Sequence, residues 1–473
     1  MPKFTIELPA GFADLIPSLE KYAADIQAAT PETEDGGAVD MMKYERAMES
    51  SAAALEQEST RRLVQRLDID AEKVIIQGKS HSRVGRYQAT YKTKAGPVTV
   101  TRSLYREDGV RNAKTVDPVS LRAGVVGNGW LPETAKAMAF LIQQGTSREA
   151  ENTAHAVGRL PYSRSSFERV GHKVGAAYQV LQGSIEAVLM EKYQVPESAR
   201  SASLGLDRVS VPMEEPLPRP VGRPREGAPR RPIERNFRMA YVGTVTLHDS
   251  DGDALHTFRY GRMPQGDVDA MCARMAEDVA VLLRQRPELS VAILTDGAPE
   301  MRNRLAAKVN QETLHTPVVE LVDFWHVMEK LGKAASVTHP DSGAQQLQRW
   351  KMTLLNKTNA AAGILAELQQ SGHEHTRVGD TQPVHDAITY LTNGGDRMGY
   401  AAARAQALPI GSGNTEATCK CLFDTRLKRC GSRWKNKTGE EVVQLRAAAL
   451  NERWEASVNP ALELLHSSVL RAG

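Results

Sequence analysis

Between Ser201 and Trp325 the hydrophobic pattern changes period in a set order, and that order limits the possible folds more than any other feature of the chain. "SASLGLDRVSVPM" reads as a strand. So do "MAYVGTVTLHD" and "ALHTFRYGRM", which are joined by the turn "SDGD". "DVDAMCARMAEDVAVLLRQRP" then takes the period of an amphipathic helix. The apolar strand "LSVAILTD", a helix opening at Pro299 and the strand "PVVELVDFW" follow. Strands that come first as hairpins and then alternate with helices predict an α/β fold, a mixed sheet with helices on its faces. Residues 338–405 are helical and polar and read as an insertion after the last strand. The acids of "HDSDGDAL" suggest a calcium loop, but its spacing and distal glutamate are missing, so an Asp-Gly hairpin turn is expected.

Upstream the pattern is of a different kind. Residues 40–67 hold strong helix formers without Gly or Pro and predict a long helix. "RYQATYKT" and "PVTVTRSLY" alternate around Ala95-Gly96 and predict a hairpin. "PETAKAMAFLIQQG", "SREAENTAHAVGRL" and "PYSRSSFERVGHKVGAAYQVLQ" read as three helices, the last with Ser163 as a fitting N-cap. A tight break before a helix that opens Ser-Arg-Ser-Ser matches a helix-turn-helix, which would offer Arg164, Ser165 and Ser166 to DNA. A plain three-helix packing unit is the alternative.

Residues 214–238 contain six prolines between Pro216 and Pro232 and seven arginines between Arg219 and Arg238. Such a segment stays extended and builds no core. Its "GRPR", with Arg223 and Arg225, has the form of a minor-groove AT-hook core, although a solvated loop touching phosphate non-specifically is the better expectation. Charge supports a polyanionic partner: residues 1–60 carry twelve acids and four bases, a net of −8, so the rest of a chain with net charge +3 is +11. Four cysteines do not frame a disulfide scaffold at 473 residues, no apolar run is long enough to span a bilayer, and the N-terminus lacks a secretory pattern. A cytoplasmic protein with no membrane partner is expected.

Three acids stand out. Asp207 lies inside a strand, Asp296 ends the central apolar strand, and Glu416 opens the block "IGSGNTEATCKCLFDTRLKRCG". Ligands of α/β sheets sit beyond the carboxyl ends of strands, where Asp296 falls. The block reads as a helix capped near Asn414 and ending at Gly431, with Cys419, Leu422, Phe423, Leu427 and Cys430 as its buried stripe. Glu416 continues that stripe, where a carboxylate is costly without a cation. Each acid also has a structural alternative: an arginine partner for Asp207, a helix cap for Asp296, the helix dipole for Glu416. Were the three to converge, their oxygens would suit a hard divalent cation, Mg²⁺ or Mn²⁺. Arg426, Lys428, Arg429, Arg433 and Lys435 follow Glu416 closely and are candidate DNA contacts, and Trp434 can stack on a base or pack. Zinc is not expected, because on one helix Cys421 points away from Cys419 and Cys430.

The order "GLD", "LTDGAPEM", "VVELVDFWHVMEKL", "LPIGSGNTEATCKCLFDTRLKRCGSRW" resembles the DDE transposases of bacterial insertion sequences over about residues 200–455. It is most similar to the Kra-type group, which shares features with Mutator-like enzymes; a Cys-x-x-Cys zinc motif carried by some relatives is missing upstream. The resemblance implies an RNase H-like catalytic fold with Asp207, Asp296 and Glu416 as its metal-binding triad. It matches Asp323 and His326 to a D-x-x-H motif beside the active site; in related groups that aspartate is counted as the second acid, but Asp296 is preferred because the central RNase H strand should carry it, with His326 orienting DNA or buttressing the site. It implies strand cleavage and transfer on double-stranded DNA, element ends and target, by a nucleoid-associated bacterial protein that is at least a dimer on DNA. A transposase-derived DNA-binding protein without catalysis and a structure-selective nuclease are the competing functions. The expected division is 1–70 helical, 71–130 hairpin, 131–198 helix-turn-helix-like, 199–337 first part of the core, 338–405 insertion, and 406–473 second part with C-terminal helices.

Overall fold

The structure is a computed structural model and describes residues 9–32, 36–216, 227 and 233–472. It divides into two compact units, residues 1–182 with 455–473, and residues 183–454.

In the first unit, α1 (Ile16–Ala29) and α2 (Met41–Arg66) precede β1 (Lys73–Ile76), β2 (Lys79–Thr93) and β3 (Gly96–Glu107). Asp40 caps α2 by accepting the Lys43 N–H at 3.0 Å. The β2–β3 hairpin is tight because the Thr93 hydroxyl accepts the Ala95 N–H at 3.1 Å and donates to the Gly96 carbonyl at 2.8 Å. Tyr91, Val98 and Val100 alternate inward from it and meet Val64 of α2 and Val119. Then come α3 (Pro118–Ala123), α4 (Pro132–Gln144), α5 (Ser147–Ala156) and α6 (Arg164–Lys192). Thr146 and Glu149 close a capping box at the start of α5.

The second unit is built on five strands. These are β4 (Ser201–Pro216), β5 (Ile233–His248), β6 (Ala254–Arg262), β7 (Ser290–Thr295) and β8 (Val318–Val322). Their order is β6-β5-β4-β7-β8, antiparallel from β6 to β4 and parallel from β4 to β8. This is the expected mixed sheet. Helix α7 (Val268–Gln285) crosses from β6 to β7, and α8 (Pro299–Ala306) and α9 (Gln311–Leu314) lead on to β8. Met271, Met275, Val279 and Leu282 of α7 are buried with Leu204, Leu206, Val245 and Ile293 of the sheet, each burial contributing about 1.5–3 kcal/mol. The turn between β5 and β6 is an Asp turn, with Asp249 Oδ1 accepting the N–H groups of Asp251 and Asp253 at 2.9 and 3.0 Å.

After β8, α10 (Phe324–Thr338), α11 (Gly343–Asn356), α12 (Ala360–Gln370), α13 (Pro383–Gly394) and α14 (Tyr400–Ala405) form the helical insertion. It has its own core, including Phe324, Leu331, Trp350, Ile364, Ile388 and Tyr400. The Glu416 block departs from a single helix ending at Gly431: α15 (Gly413–Thr418) passes into a π-helical turn at Cys419–Asp424, and α16 (Thr425–Leu427) closes it. Cys430 is therefore exposed, outside the expected stripe, while Cys419, Leu422, Phe423 and Leu427 are buried. Next is α17 (Asn436–Leu450).

Two further boundaries differ from the sequence reading. The segment 214–238 is shorter as a loop than its composition suggests, because β4 and β5 pair as far as Pro216 and Ile233; most of its arginines, including Arg223 and Arg225, lie outside the described residues. The C-terminal stretch 406–473 is divided: α18 (Trp454–Glu463) and β9 (Val469–Arg471) carry residues 455–473 into the first unit. There β9 pairs antiparallel with β1, and the buried Lys136 donates to Glu455 and Asn459 at 2.8 and 3.1 Å. Among the described residues, no helix is long and apolar enough to cross a membrane.

Candidate functional site

The parallel register of the central strands, extended beyond its last paired residues, lines up three aspartates. Leu204 of β4 faces Ile293 of β7, and Thr295 of β7 faces Val322 of β8. Carried forward along each strand, the same offsets align Asp207 with Asp296, and Asp296 with Asp323. Residues on one rung of a sheet share a face. The rung falls where β7 and β8 end, so the chain leaves the sheet just after two of these acids.

The backbone around Asp296 is held from both sides. Its Oδ1 accepts the Ala298 N–H at 2.9 Å, which folds the Asp-Gly turn. Its carbonyl accepts the Tyr390 hydroxyl of α13 at 2.6 Å. Gly297 adopts φ +93°, and a Cβ there would stand 3.1 Å from that hydroxyl, so glycine meets both a conformational and a steric demand. Asp207 accepts the Arg208 N–H at 2.6 Å through Oδ1, and its Oδ2 faces the Cys419 thiol at 3.5 Å. Burial, reinforced by the Asp207 charge, raises the Cys419 pKa, so the thiol stays protonated.

Glu416 reaches this rung through a close approach of helix to strand. A Cβ on Gly205 would lie 2.0 Å from the Thr415 hydroxyl oxygen. The missing side chain lets α15 settle on β4, and the Thr415 hydroxyl hydrogen-bonds that of Thr244 on β5 at 2.8 Å. Glu416, the next residue, is exposed and its Oε1 accepts the Ser412 hydroxyl at 3.4 Å. A pocket of about 80 Å³ results, lined by Asp207, Asp296, His326, Ser412, Thr415 and Glu416 together with strand residues.

Asp323 is on the rung but does not line the pocket. It is 1% exposed and caps α10. Its Oδ1 accepts the His326 N–H at 2.7 Å and meets the His326 ring Nδ1 at 3.0 Å, while Oδ2 accepts the Ser412 N–H. Its own N–H donates to the Thr295 carbonyl at 2.8 Å. One residue thereby ties the end of β7 through its backbone and the starts of α10 and α15 through its side chain. Burial alone would raise the Asp323 carboxyl, but the N–H groups of Ser412 and His326 outweigh it and hold the pKa below the ordinary carboxylate value. Burial likewise opposes charge on His326; the hydrogen bond to Asp323 and the charges of Asp323, Glu416 and Asp296 prevail and raise the imidazole pKa.

The donor set is oxygen-rich. Asp296 Oδ2 and Glu416 Oε2 accept no hydrogen bond from the described residues. Donor atoms of Asp323, His326 and Glu416 lie within 4.8 Å of one another, and among the described residues this is the one group of three that close. These two arrangements differ in what is free to bind. Asp323 has both oxygens committed to backbone N–H donors, whereas Asp296 and Glu416 each keep one oxygen open to the pocket and Asp207 lines it with Oδ2 held only by the Cys419 thiol at 3.5 Å. The residues fit a hard divalent cation.

The candidate DNA contacts separate by exposure. Arg164 and Ser165 are exposed and Ser166 half-buried in the first turn of α6, where the Arg164 N–H donates to Glu151 at 2.9 Å. Lys428, Arg429, Arg433 and Lys435 are exposed, Lys428 pairing with Asp424 at 2.8 Å. Arg426 and Trp434 are 4% and 8% exposed, the guanidinium 4.8 Å from the indole centroid. The Trp434 indole N–H donates to the Leu427 carbonyl, and its backbone bonds Pro212 and Glu214 of β4. These two side chains pack instead of facing DNA; Arg426 shares the buried stripe of Cys419, Leu422 and Phe423.

Sequence reasoning passed over Ser412, Thr415 and Tyr390. The first two lay within the quoted "GSGNTE", whose glycines marked a break. Tyr390 had no local signal, since its partner is 94 residues away.

No protein-family model matches this sequence, and no curated protein sequence matches it. Among solved structures, the chain is similar to the Drosophila P element transposase strand transfer complex at 14% identity, over 68% of this chain and 79% of that one, with a TM-score of 0.25. The two do not superpose as wholes at that score.

Proposed function

We propose that this protein is a DDE-type DNA transposase of an insertion sequence, with an RNase H-like core that cleaves DNA strands and transfers them by phosphoryl transfer. The observation that carries the reading is the pocket at the strand ends lined by Asp207, Asp296 and Glu416. In this reading those three acids hold Mg²⁺ or Mn²⁺, two ions in all, with Asp296 as the second acid because Asp323 is committed to Ser412 and His326. Bound cations would lower the pKa of water or of a DNA 3′-hydroxyl and stabilise the leaving oxygen.

The chain's own groups supply the remainder. Asp323 fixes the His326 ring and the Ser412 backbone, and so the approach of Glu416 to the pocket. A protonated His326 donates to a phosphate oxygen. Lys428, Arg429, Arg433 and Lys435 bind the backbone flanking the scissile phosphate. Residues 131–198, with Arg164, Ser165 and Ser166 at the start of α6, read the element ends as a helix-turn-helix, and the arginine-rich loop, with Arg223 and Arg225, adds non-specific affinity. The protein acts on DNA in the bacterial cytoplasm as a dimer or larger assembly.

Nicking of supercoiled plasmid with Mg²⁺ or Mn²⁺, and joining of a pre-cleaved end, test this directly. Asp207→Asn, Asp296→Asn and Glu416→Gln should each reduce nicking by about 10²-fold or more while DNA binding persists. Mn²⁺ binding measured by calorimetry should weaken in parallel. Wild-type protein that binds DNA but never nicks it would make the non-catalytic reading correct. Nicking without joining would make it a nuclease.

A further inference from the structure

Trp325 is 59% exposed, although both of its neighbours are engaged: Phe324 is buried in the insertion core and His326 lines the carboxylate pocket. The indole rests on the Gly411 backbone. A Cβ on Gly411 would lie 3.0 Å from Trp325 Cδ1 and 3.1 Å from Nε1, so any larger residue would displace the ring. The Lys351 ammonium stands 5.2 Å from the ring centroid. Lys351 has no ion-pair partner among the described residues, and the indole N–H has no acceptor among them. The ring is thus held in one orientation, beside the pocket, with area left in water. Holding an aromatic side chain in place before a ligand arrives lowers the ordering cost of binding.

We propose that Trp325 and Lys351 form a nucleobase site, in which an unpaired base next to the scissile phosphate stacks on the indole and Lys351 meets that nucleotide's phosphate. The inference rests on the DNA-processing function proposed above. A flat ring with a fixed position and a cation beside it matches a base attached to a phosphate. A paired base has both faces occupied by its neighbours in the duplex and cannot use such a platform. The site therefore selects DNA that is opened or distorted at the cleavage position.

The test uses the full chain and two short duplexes of one sequence carrying 2-aminopurine, in one fully paired and in the other facing an abasic position. The readout is the ratio of the two affinities, with 2-aminopurine fluorescence as the report of stacking. Wild type should favour the unpaired base roughly tenfold and quench its fluorescence. Trp325→Ala should bring the ratio to about one, and Trp325→Phe should keep part of the preference and part of the quench. Lys351→Met should reduce the preference without abolishing the quench. A Trp325→Ala protein with the wild-type ratio, including one weakened equally on both duplexes, would overturn the proposal and leave Trp325 as a protein-docking side chain. Failure of the function itself is distinct: wild type would then bind neither duplex and show no metal-dependent nicking.

Discussion

At the scale of single residues, committed and uncommitted carboxylates part company. Asp323 accepts N–H groups at both oxygens, and an amide cannot do so without turning its NH₂ toward one of them. Asp323→Asn should therefore destabilise the second unit by about 1–3 kcal/mol and slow nicking, yet weaken Mn²⁺ binding less than Asp296→Asn does. Calorimetric titration of both variants checks this, and the opposite ranking would make Asp323 the second metal-binding acid. His248 offers a test through pH. It is 1% exposed, its Nε2 accepts from the Ser203 hydroxyl at 2.8 Å and its Nδ1 donates to the Gly252 carbonyl at 3.1 Å. Burial lowers its pKa below the ordinary 6.5, with partial opposition from the Gly252 carbonyl, Asp249 and Asp253. The unfolded chain then takes up this proton first as pH falls. The stability contributed by the neutral ring is complete above 6.5 and is lost progressively as pH falls toward the folded-state value. Denaturant titrations across that range should show a loss of stability in wild type that is smaller in His248→Gln.

Among elements, the decisive contact is helix on strand. The residue Gly205 supplies is space: α15 carries Glu416, β4 carries Asp207, and a Cβ would fall 2.0 Å from the Thr415 hydroxyl oxygen. Gly205→Ala should push α15 outward and reduce nicking by about tenfold or more, since misplacement by about 1 Å can cost 10²-fold. Thr415→Ala removes that oxygen and leaves its Cβ at 3.2 Å, so the double variant should recover part of the loss. Equal nicking by Gly205→Ala and wild type would show that α15 does not need this approach. The same element shows why part of the site escaped the sequence. Arg426 falls on the apolar stripe even of a regular helix, in line with Cys419, Leu422 and Phe423, so its burial follows from spacing and was hidden only by the neighbouring bases.

For the molecule as a whole, the proposed transposition would have to hold two DNA ends at once, which one set of three acids cannot do. The expected outcome is that light scattering finds at least a dimer once end DNA is added. The stripe on α2 that suggested a contact is only partly free: Met41 and Met42 are 49% and 63% exposed, while Tyr44, Met48 and Leu55 are half-buried. Helix α2 also uses Gln57 and Gln65 to bind the Ala95 and Thr101 backbone of the hairpin at 2.7 and 2.8 Å. Met41→Lys with Met42→Lys should therefore weaken self-association if this end of α2 is the contact. Joining of two ends by a strictly monomeric complex would rule the dimer out.

The mixed sheet, the hairpin, the long helix and the strand-end position of Asp296 were legible because each is a local matter: period, turn residues and an apolar run that stops at Asp-Gly-Ala-Pro. Glu416 stood out for a related reason, a charge on what reads as an apolar stripe. What joins these pieces was not legible. The nearness of Asp207, Asp296 and Asp323 to one end of the parallel strands depends on which strands pair and in what register. The commitment of Asp323 to Ser412 spans 89 residues, and the return of β9 to β1 nearly the whole chain. Local composition sets what each segment can become. Which carboxylate remains free to bind is decided by hydrogen-bond partners that the chain brings together only when it folds.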